Sequence, residues 1–170
     1  MTEPQKQNSI LTGGCQCGAV RYRIEGETFL PHTCHCRMCQ KAGGNYFMAL
    51  ASVGKADFVV TRGAISWFRS SEPSRRGFCA NCGTPLIYEQ IARANTNVTL
   101  GSLDDPRAIR PRHQFGAESR VPFLCEILAI PATVSMDDPE EDGVKLAEVA
   151  ASNHQHPDHD TSIWPMEDTA

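Results

Sequence analysis

The spacing of the cysteines constrains this 170-residue chain more than any other feature of its sequence. Seven of the eight cysteines form two pairs and one triplet: Cys15 and Cys17, Cys79 and Cys82, and Cys34, Cys36 and Cys39. Two such pairs can supply the four thiolates of a closed tetrahedral zinc site. The triplet supplies three thiolates and leaves one coordination position for water or a substrate sulfur. The pattern therefore predicts one zinc site that holds the fold and a second site that can do chemistry.

The triplet also allows two other interpretations. A fourth ligand from His32 or Cys125 would make it a second structural site. A lone cysteine in an apolar run is more typical of a small core residue, so we assign Cys125 no ligand role. Alternatively, the triplet could be redox-active without a metal, since C-x-x-C thiols oxidise readily. His35 stands between two of the ligands, so we expect its ring to point away from the metal.

Composition and hydropathy indicate an intracellular protein with one folded domain. The hydrophobic content of 41% is enough to build a core, and no apolar run approaches the length of a membrane span. Residues 1–9 are polar and lack the apolar core of a secretory signal. We therefore expect a cytoplasmic, reducing location, in which clustered cysteines bind metal and do not form disulfides.

We predict a leader at 1–10, a zinc domain at 11–136 and an acidic tail at 137–170, and the distribution of charge marks the second of these boundaries. Residues 1–136 carry fifteen Lys/Arg and ten Asp/Glu, whereas the tail carries one Lys and ten Asp/Glu. A mildly basic domain suits an anionic small ligand, and it is not basic enough to argue for nucleic acid. We expect the tail to be mobile and its histidines solvated, with Trp164 as the exception that could dock on the domain or on a partner subunit.

Short strands are predicted throughout the folded part, because apolar runs recur about every ten residues with turn residues between them. The predicted strands are 19–24, 46–50, 58–60, 65–68, 85–88 and 97–100. This spacing predicts a mainly β domain with little helix. Residues 123–130 form another apolar run, which periodicity alone does not assign to a strand or a short helix.

Three segments carry a family resemblance: 14–22 (GCQCGAVRY), 34–41 (CHCRMCQK) and 76–84 (RGFCANCGT). In their order and residues they resemble the glutathione-dependent formaldehyde-activating enzyme family, which also contains the centromere protein V domain. The resemblance runs from about residue 11 to 133 and implies a β-tent zinc fold of antiparallel strands. One departure is Phe123, near which the family usually carries a tryptophan.

The resemblance also implies a division of the ligands. Cys15, Cys17, Cys79 and Cys82 match the structural zinc ligands, and Cys34, Cys36 and Cys39 match the catalytic ones. The family reaction joins formaldehyde to glutathione and is classed as that of a carbon–sulfur lyase.

A mechanism follows from these assignments as a hypothesis. Zinc at the triplet takes up glutathione or a related thiol as a thiolate, which then attacks a small aldehyde. Arg37, Lys41, Arg75 and Arg76 are the candidates to hold the glutathione carboxylates. Two other classes of function stay open, namely a non-catalytic zinc-stabilised binding module and a thiol-based redox or metal sensor.

Overall fold

A computed structural model describes residues 10–127, 129–132, 140–141 and 144–163. Its strands are β1 (Leu11–Gly14), β2 (Arg21–Ile24), β3 (Phe29–Cys34), β4 (Met48–Gly54), β5 (Phe58–Arg62), β6 (Ser66–Ser71), β7 (Ser74–Phe78), β8 (Pro85–Gln90), β9 (Asn95–Thr99), β10 (His113–Phe115), β11 (Glu140–Glu141) and β12 (Val144–Lys145). Its α-helices are α1 (Arg37–Gly43), α2 (Leu124–Ile127) and α3 (Leu146–Ala151). The mainly β fold predicted from the sequence is therefore confirmed.

Two sheets build the body of the domain. The smaller sheet has the strand order β1-β2-β5, and the larger has the order β10-β3-β4-β9-β8-β7-β6. Neighbouring strands of these sheets pair antiparallel except β10 and β3, which run parallel. Strands β11 and β12 form a separate antiparallel pair. Among the described residues, no helix combines the length and apolar character that crossing a bilayer requires.

Both sheets contribute to one main hydrophobic core. Tyr22 and Ile24 come from β2 of the smaller sheet, while Val53, Leu86 and Val98 come from the larger one, and all five are fully buried. Burying a side chain of this size is worth roughly 1.5–3 kcal/mol. Cysteines of the first cluster belong to the same core. A metal bound there would therefore cross-link the two sheets at the centre of their packing.

The structure differs from the sequence prediction at several elements. Each of the six predicted strands overlaps an observed one, whereas β1, β3, β7, β10, β11 and β12 were not predicted. Strand β7 (SRRGF) and strand β3 (FLPHTC) lack the apolar alternation that signals a half-buried strand. Sheet neighbours on both sides supply their hydrogen bonds instead. In the apolar run 123–130, the described residues contain one helical turn, α2, which decides between strand and helix there.

The end of the described chain also differs from the mobile tail expected from its composition. The backbone nitrogen of His156 donates to the carbonyl of Gln16 at 2.7 Å, and the His156 side chain is 4% exposed. Asp160 pairs with Arg21 at 2.7 Å, and Arg62 donates to the Thr161 carbonyl. Arg21 is buried, and a buried guanidinium needs counter-charges, which helps to draw this acidic segment onto the domain.

The remaining parts of the tail prediction have different outcomes. His154 and His159 are exposed, as expected for solvated histidines. Trp164, the residue expected to dock, lies outside the described residues. The boundaries at residues 10 and 136 stay predictions.

Candidate metal centres

The first cysteine cluster joins two turns that are distant in sequence. Cys15 and Cys17 lie between β1 and β2, and Cys79 and Cys82 lie between β7 and β8. Their four sulfur atoms all lie within 4.8 Å of one another. The Cys15–Cys17 and Cys17–Cys79 sulfur distances are 3.6 and 3.8 Å. Tetrahedral zinc with Zn–S bonds of about 2.3 Å spaces its sulfur ligands about 3.8 Å apart, so the cluster fits one such ion.

Two glycines shape the turns of this cluster. Gly18 and Gly83 each follow the second cysteine of a pair and have φ values of 71° and 77°, in the left-handed region that favours glycine. Their amides donate to the carbonyls of Cys15 and Cys79, at 3.0 and 2.9 Å. The backbone amide of Val20 donates to Cys15 Sγ at 3.2 Å. The glycines thus fold the turns, and residues beside them donate hydrogen bonds to sulfur.

The triplet forms at the junction of β3 and α1. Cys34 ends β3, Cys36 is the N-cap residue of α1, and Cys39 lies in the first helical turn. The carbonyl of Cys36 accepts hydrogen bonds from the amides of Cys39 and Gln40, both at 3.0 Å. The three thiols thus come from the end of a strand, a helix cap and a helical turn. The helix turns Cys39 back towards the other two, so that the three sulfurs lie within 4.8 Å of one another.

A glycine from another part of the chain packs closely against the backbone of the triplet. Gly116 follows β10 with a φ of 65°, and a Cβ built on it would lie 2.6 Å from the backbone nitrogen of Cys36. A side chain at this position would therefore displace the backbone that carries a candidate ligand. The parallel pairing of β10 with β3 brings Gly116 here, and the sequence gives no sign of that pairing.

Within the described residues, the second cluster contains three cysteines and no fourth ligand. His32 lines the adjacent cavity, but it is not a member of the cluster, and its Nδ1 donates to the Leu30 carbonyl at 2.8 Å. Cys125 is exposed on α2 and takes no part. The His35 ring hydrogen-bonds to Gln114 at 3.1 Å, as expected for a ring that points away from the cluster.

The triplet opens on a cavity and an adjoining groove. The cavity has a volume of about 120 Å³ and is lined by the three thiols together with His32, Arg76, Tyr88 and six other residues. The groove has a volume of about 390 Å³, and Arg37, Lys41 and Phe68 are among its lining residues. Arg76, Met38 and Ser70 line both spaces. The arrangement therefore joins a small, partly open cavity at the sulfurs to a larger groove that carries positive charge.

The four cations proposed as carboxylate contacts are not equivalent in the structure. Arg37 and Lys41 lie on α1 and line the groove, whereas Arg76 is buried. Arg75 does not line the cavity or the groove, because neighbouring residues of β7 point to opposite faces of the sheet. It pairs with Glu89 at 2.8 Å and lies over the Trp67 ring at 3.8 Å. The structure therefore gives no support to Arg75 as a ligand-binding residue.

A family model described as "Glutathione-dependent formaldehyde-activating enzyme" matches residues 10–119. The chain belongs to this family. A Halomonas elongata protein named "Putative glutathione-dependent formaldehyde-activating enzyme" is 34% identical over 85 residues, which are 45% of this chain and 54% of the relative. The chain thus spans about half the length of the curated relative that it matches.

A solved structure supports the fold of this family member. A Rhodobacter sphaeroides protein known from a crystal structure matches 61% of this chain and 98% of its own, with 22% identity and a TM-score of 0.50. At this level of identity the likeness concerns the fold alone.

The electrostatics of the family domain differ between its two clusters. In the first, burial and the neighbouring Cys79 and Cys17 raise the pKa of Cys15 to about 12. Burial also opposes ionisation of Cys82, but hydrogen bonds from Thr84 outweigh it and lower the pKa of Cys82 to about 6. Crowded thiols therefore hinder one another from ionising, and a divalent cation would remove that hindrance.

In the triplet, the Cys34 hydrogen bond and then the Arg76 guanidinium lower the pKa of Cys39 to about 5, against the effect of burial. The same contact with Cys39, followed by burial, raises the pKa of Cys34. The Arg76 guanidinium therefore favours the ionised form of the Cys39 thiol, which is the form that binds a metal.

Several residues of the second site were missed by the sequence analysis of this family member. Tyr88 reaches the cavity because it pairs with Arg76 in the register of β7 and β8. Asn97 reaches it from β9, which pairs with β8 through Tyr88. No local motif marks these positions, since strand register alone brings them to the cysteines.

Proposed function

We propose that this protein is a zinc-dependent carbon–sulfur lyase-type enzyme that condenses formaldehyde with glutathione or a related anionic thiol. The observation that carries the proposal is the three-cysteine cluster at the base of a small cavity, with a cationic groove adjoining it. The family membership and the name of the Halomonas relative agree with this activity. The clustered thiols need a reducing compartment, so the proposed location is the cytoplasm.

Zinc fits both clusters, since thiolates are among its preferred ligands and the sulfur spacing suits a single ion. Cys15, Cys17, Cys79 and Cys82 would hold the structural ion, and Cys34, Cys36 and Cys39 the catalytic ion. Bound at the triplet, zinc supplies the positive charge that keeps a ligating thiol ionised at neutral pH.

The residues around the triplet would bind and orient the reactants. Arg37 and Lys41 attract carboxylates of the thiol substrate at the groove, while the cavity of about 120 Å³ admits its sulfur end and a small aldehyde. The sulfur forms a bond to the carbonyl carbon, and the π electron pair of the carbonyl moves to its oxygen. That oxygen takes up the proton that the thiol gave up, so the product is a hydroxymethyl thioether.

The test is catalysis above the spontaneous reaction. Zinc-loaded protein is mixed with glutathione and ¹³C-formaldehyde, and NMR exchange measurements give the rate of S-hydroxymethylglutathione formation. We expect a rate increase that Cys36→Ser abolishes and that the control Cys125→Ser retains, because Cys125 is exposed and outside the cluster. A fully loaded protein that leaves the spontaneous rate unchanged would refute the enzymatic function and favour a binding module.

A further inference from the structure

Arg76 is a buried guanidinium whose hydrogen bonds all go to sulfur among the described residues. Its side chain lies 3.5 Å from Cys39 Sγ and 3.5 Å from Met48 Sδ, and the residue is 9% exposed. No described carboxylate forms an ion pair with it. A buried charge is costly unless an opposite charge compensates it, and the Met48 thioether carries none. The compensating charge therefore has to come from the thiolates of the triplet.

The position of this guanidinium is fixed by the sheet. Arg76 on β7 pairs with Tyr88 on β8, and its Cζ lies 5.0 Å from the centre of the Tyr88 ring. An arginine over an aromatic face, with sulfur partners at both terminal nitrogens, has little freedom to swing into the groove. It is therefore less suited than the exposed Lys41 to follow a flexible substrate carboxylate.

The charge balance of the cluster shows what a fixed cation would do there. Three thiolates and one divalent ion carry a net charge of −1, and an anionic fourth ligand makes the net charge −2. Such an accumulation of charge in a partly buried site opposes binding of an anion. A permanent positive charge next to Cys39 offsets one unit of it and lets an anion enter the open position. The same positive charge changes the affinity for a neutral ligand little.

We propose that Arg76 is the fixed counter-charge of the three-cysteine site and that it determines specificity for an anionic ligand in the open coordination position. The inference rests on the proposed function insofar as it requires a metal ion at Cys34, Cys36 and Cys39. It also replaces the role given to Arg76 by the sequence analysis, in which the residue held a glutathione carboxylate.

The test uses cobalt(II) in place of zinc, because its absorption bands report the ligands of the metal. Azide serves as a small anionic ligand without a carboxylate, and imidazole serves as a neutral one. We expect Arg76→Met to weaken azide binding at least about tenfold and to change imidazole binding less than about twofold. Arg76→Lys, which keeps the charge, should recover part of the azide affinity. The matched control is Arg75→Met on the opposite face of the same strand.

Three results would overturn the inference. Equal losses of azide and imidazole affinity would mean that Arg76 only maintains the structure. Loss of glutathione binding with unchanged azide binding would restore its role as a carboxylate contact. A wild-type site that binds neither ligand would not be open at all. If Arg76→Met does not bind two equivalents of cobalt, the wild type is compared with Arg76→Lys instead. Arg76→Lys must then still bind azide in preference to imidazole.

The outcome is separable from that of the proposed function. A wild-type protein that prefers azide but forms no S-hydroxymethylglutathione would keep the role of Arg76 and remove the proposed activity. A protein that catalyses the reaction, but in which Arg76→Met leaves the azide affinity unchanged, would keep the proposed activity and remove the proposed role of Arg76.

Discussion

The sulfur atoms of Cys17 and Cys79 lie 3.8 Å apart, although 62 residues separate them along the chain. One belongs to the turn between β1 and β2, and the other follows β7. Cys79 is 1% exposed and belongs to the main core, in which both sheets take part. A metal ion at this point would close a long loop and connect the smaller sheet to the larger one.

Loss of a ligand from this first cluster should destabilise the whole domain. We expect Cys79→Ser to lower the melting temperature by more than about 10 °C or to prevent soluble expression, because metal binding and folding are coupled at such a site. Thermal unfolding and metal analysis check the prediction. Cys125→Ser is the control, since Cys125 is exposed and belongs to neither cluster. Unchanged melting of the Cys79 variant would show that the first cluster is not structural.

Loss of a ligand from the triplet should affect metal binding far more than folding. Cys36→Ser is expected to lose one of two zinc equivalents, because the cluster would keep only two thiols. The melting temperature should change by less than about 3 °C, since Cys34, Cys36 and Cys39 lie within six residues and their cross-link closes little chain entropy. Zinc stoichiometry and calorimetry measure both effects. Unfolding as severe as that of Cys79→Ser would make the triplet a structural site.

Removal of the positive charge at the groove should weaken anionic thiols selectively. Lys41→Gln is expected to lower the affinity for glutathione about three- to tenfold and to leave 2-mercaptoethanol, which has no carboxylate, unaffected. Added salt should weaken glutathione binding to the wild type through screening. Calorimetric titration measures each affinity. Lys55→Gln is the control, since Lys55 pairs with Glu89 and does not line the groove.

The comparison of thiol with thioether tests coordination to sulfur in the same titration. S-methylglutathione keeps both carboxylates and loses the ionisable thiol, so we expect it to bind more weakly than glutathione. Equal affinities for the two peptides would exclude a metal–sulfur bond in the complex.

Removal of Asp160 should weaken the attachment of the C-terminal segment. Arg21 is buried and paired with both Asp104 and Asp160, at 2.5 and 2.7 Å. Asp160→Asn leaves one counter-charge for it, and we expect a loss of about 1 kcal/mol in the free energy of unfolding. Chemical denaturation measures the loss. Asp105→Asn should cost less, because Asp105 pairs with Arg107, which is almost fully exposed. Equal stabilities of the two variants would mean that the segment contributes nothing to the fold.

Acidification should loosen the same segment through His156. Burial, followed by the charges of Arg21 and Arg62, lowers the pKa of His156 below its ordinary value of about 6.5. The Pro157 carbonyl and Asp104 oppose this effect without reversing it. Because the folded-state pKa is depressed, the released segment binds the proton more readily than the docked one. The contribution of His156 to stability is therefore complete above pH about 6.5 and decreases as the pH falls towards the folded-state pKa.

Hydrogen exchange of residues 154–161 at pH 7.5 and pH 5.5 measures this effect. We expect weaker protection at the lower pH beyond the known intrinsic pH dependence of exchange, and this extra loss should be absent in His156→Gln. His159→Gln is the matched control, since His159 is exposed in the same segment. A loss of protection that persists in His156→Gln would assign the pH dependence to other groups. Zinc content must be equal at both pH values.

The sequence predicted the cysteine clusters because ligand spacing within a turn is local. Cys15 and Cys17, or Cys79 and Cys82, lie close together in almost any turn that connects their flanking strands. Gly18 and Gly83, which follow the two pairs directly in the sequence, both have positive φ. Alternating apolar residues also predicted the half-buried strands, whereas β7 and β3 were missed because their side chains do not alternate.

The sequence by itself thus determined the mainly β class, the family and the thiols able to hold metal. Only the tertiary structure decided which arginine lies at the second site. Arg75 and Arg76 are neighbours of identical chemistry, and the pleat of β7 directs one to Glu89 and the other to Cys39. It also decided that the acidic segment docks, because the attraction depends on Arg21 being buried. Charge burial and strand register arise from residues far apart in the chain, so no local pattern could reveal them.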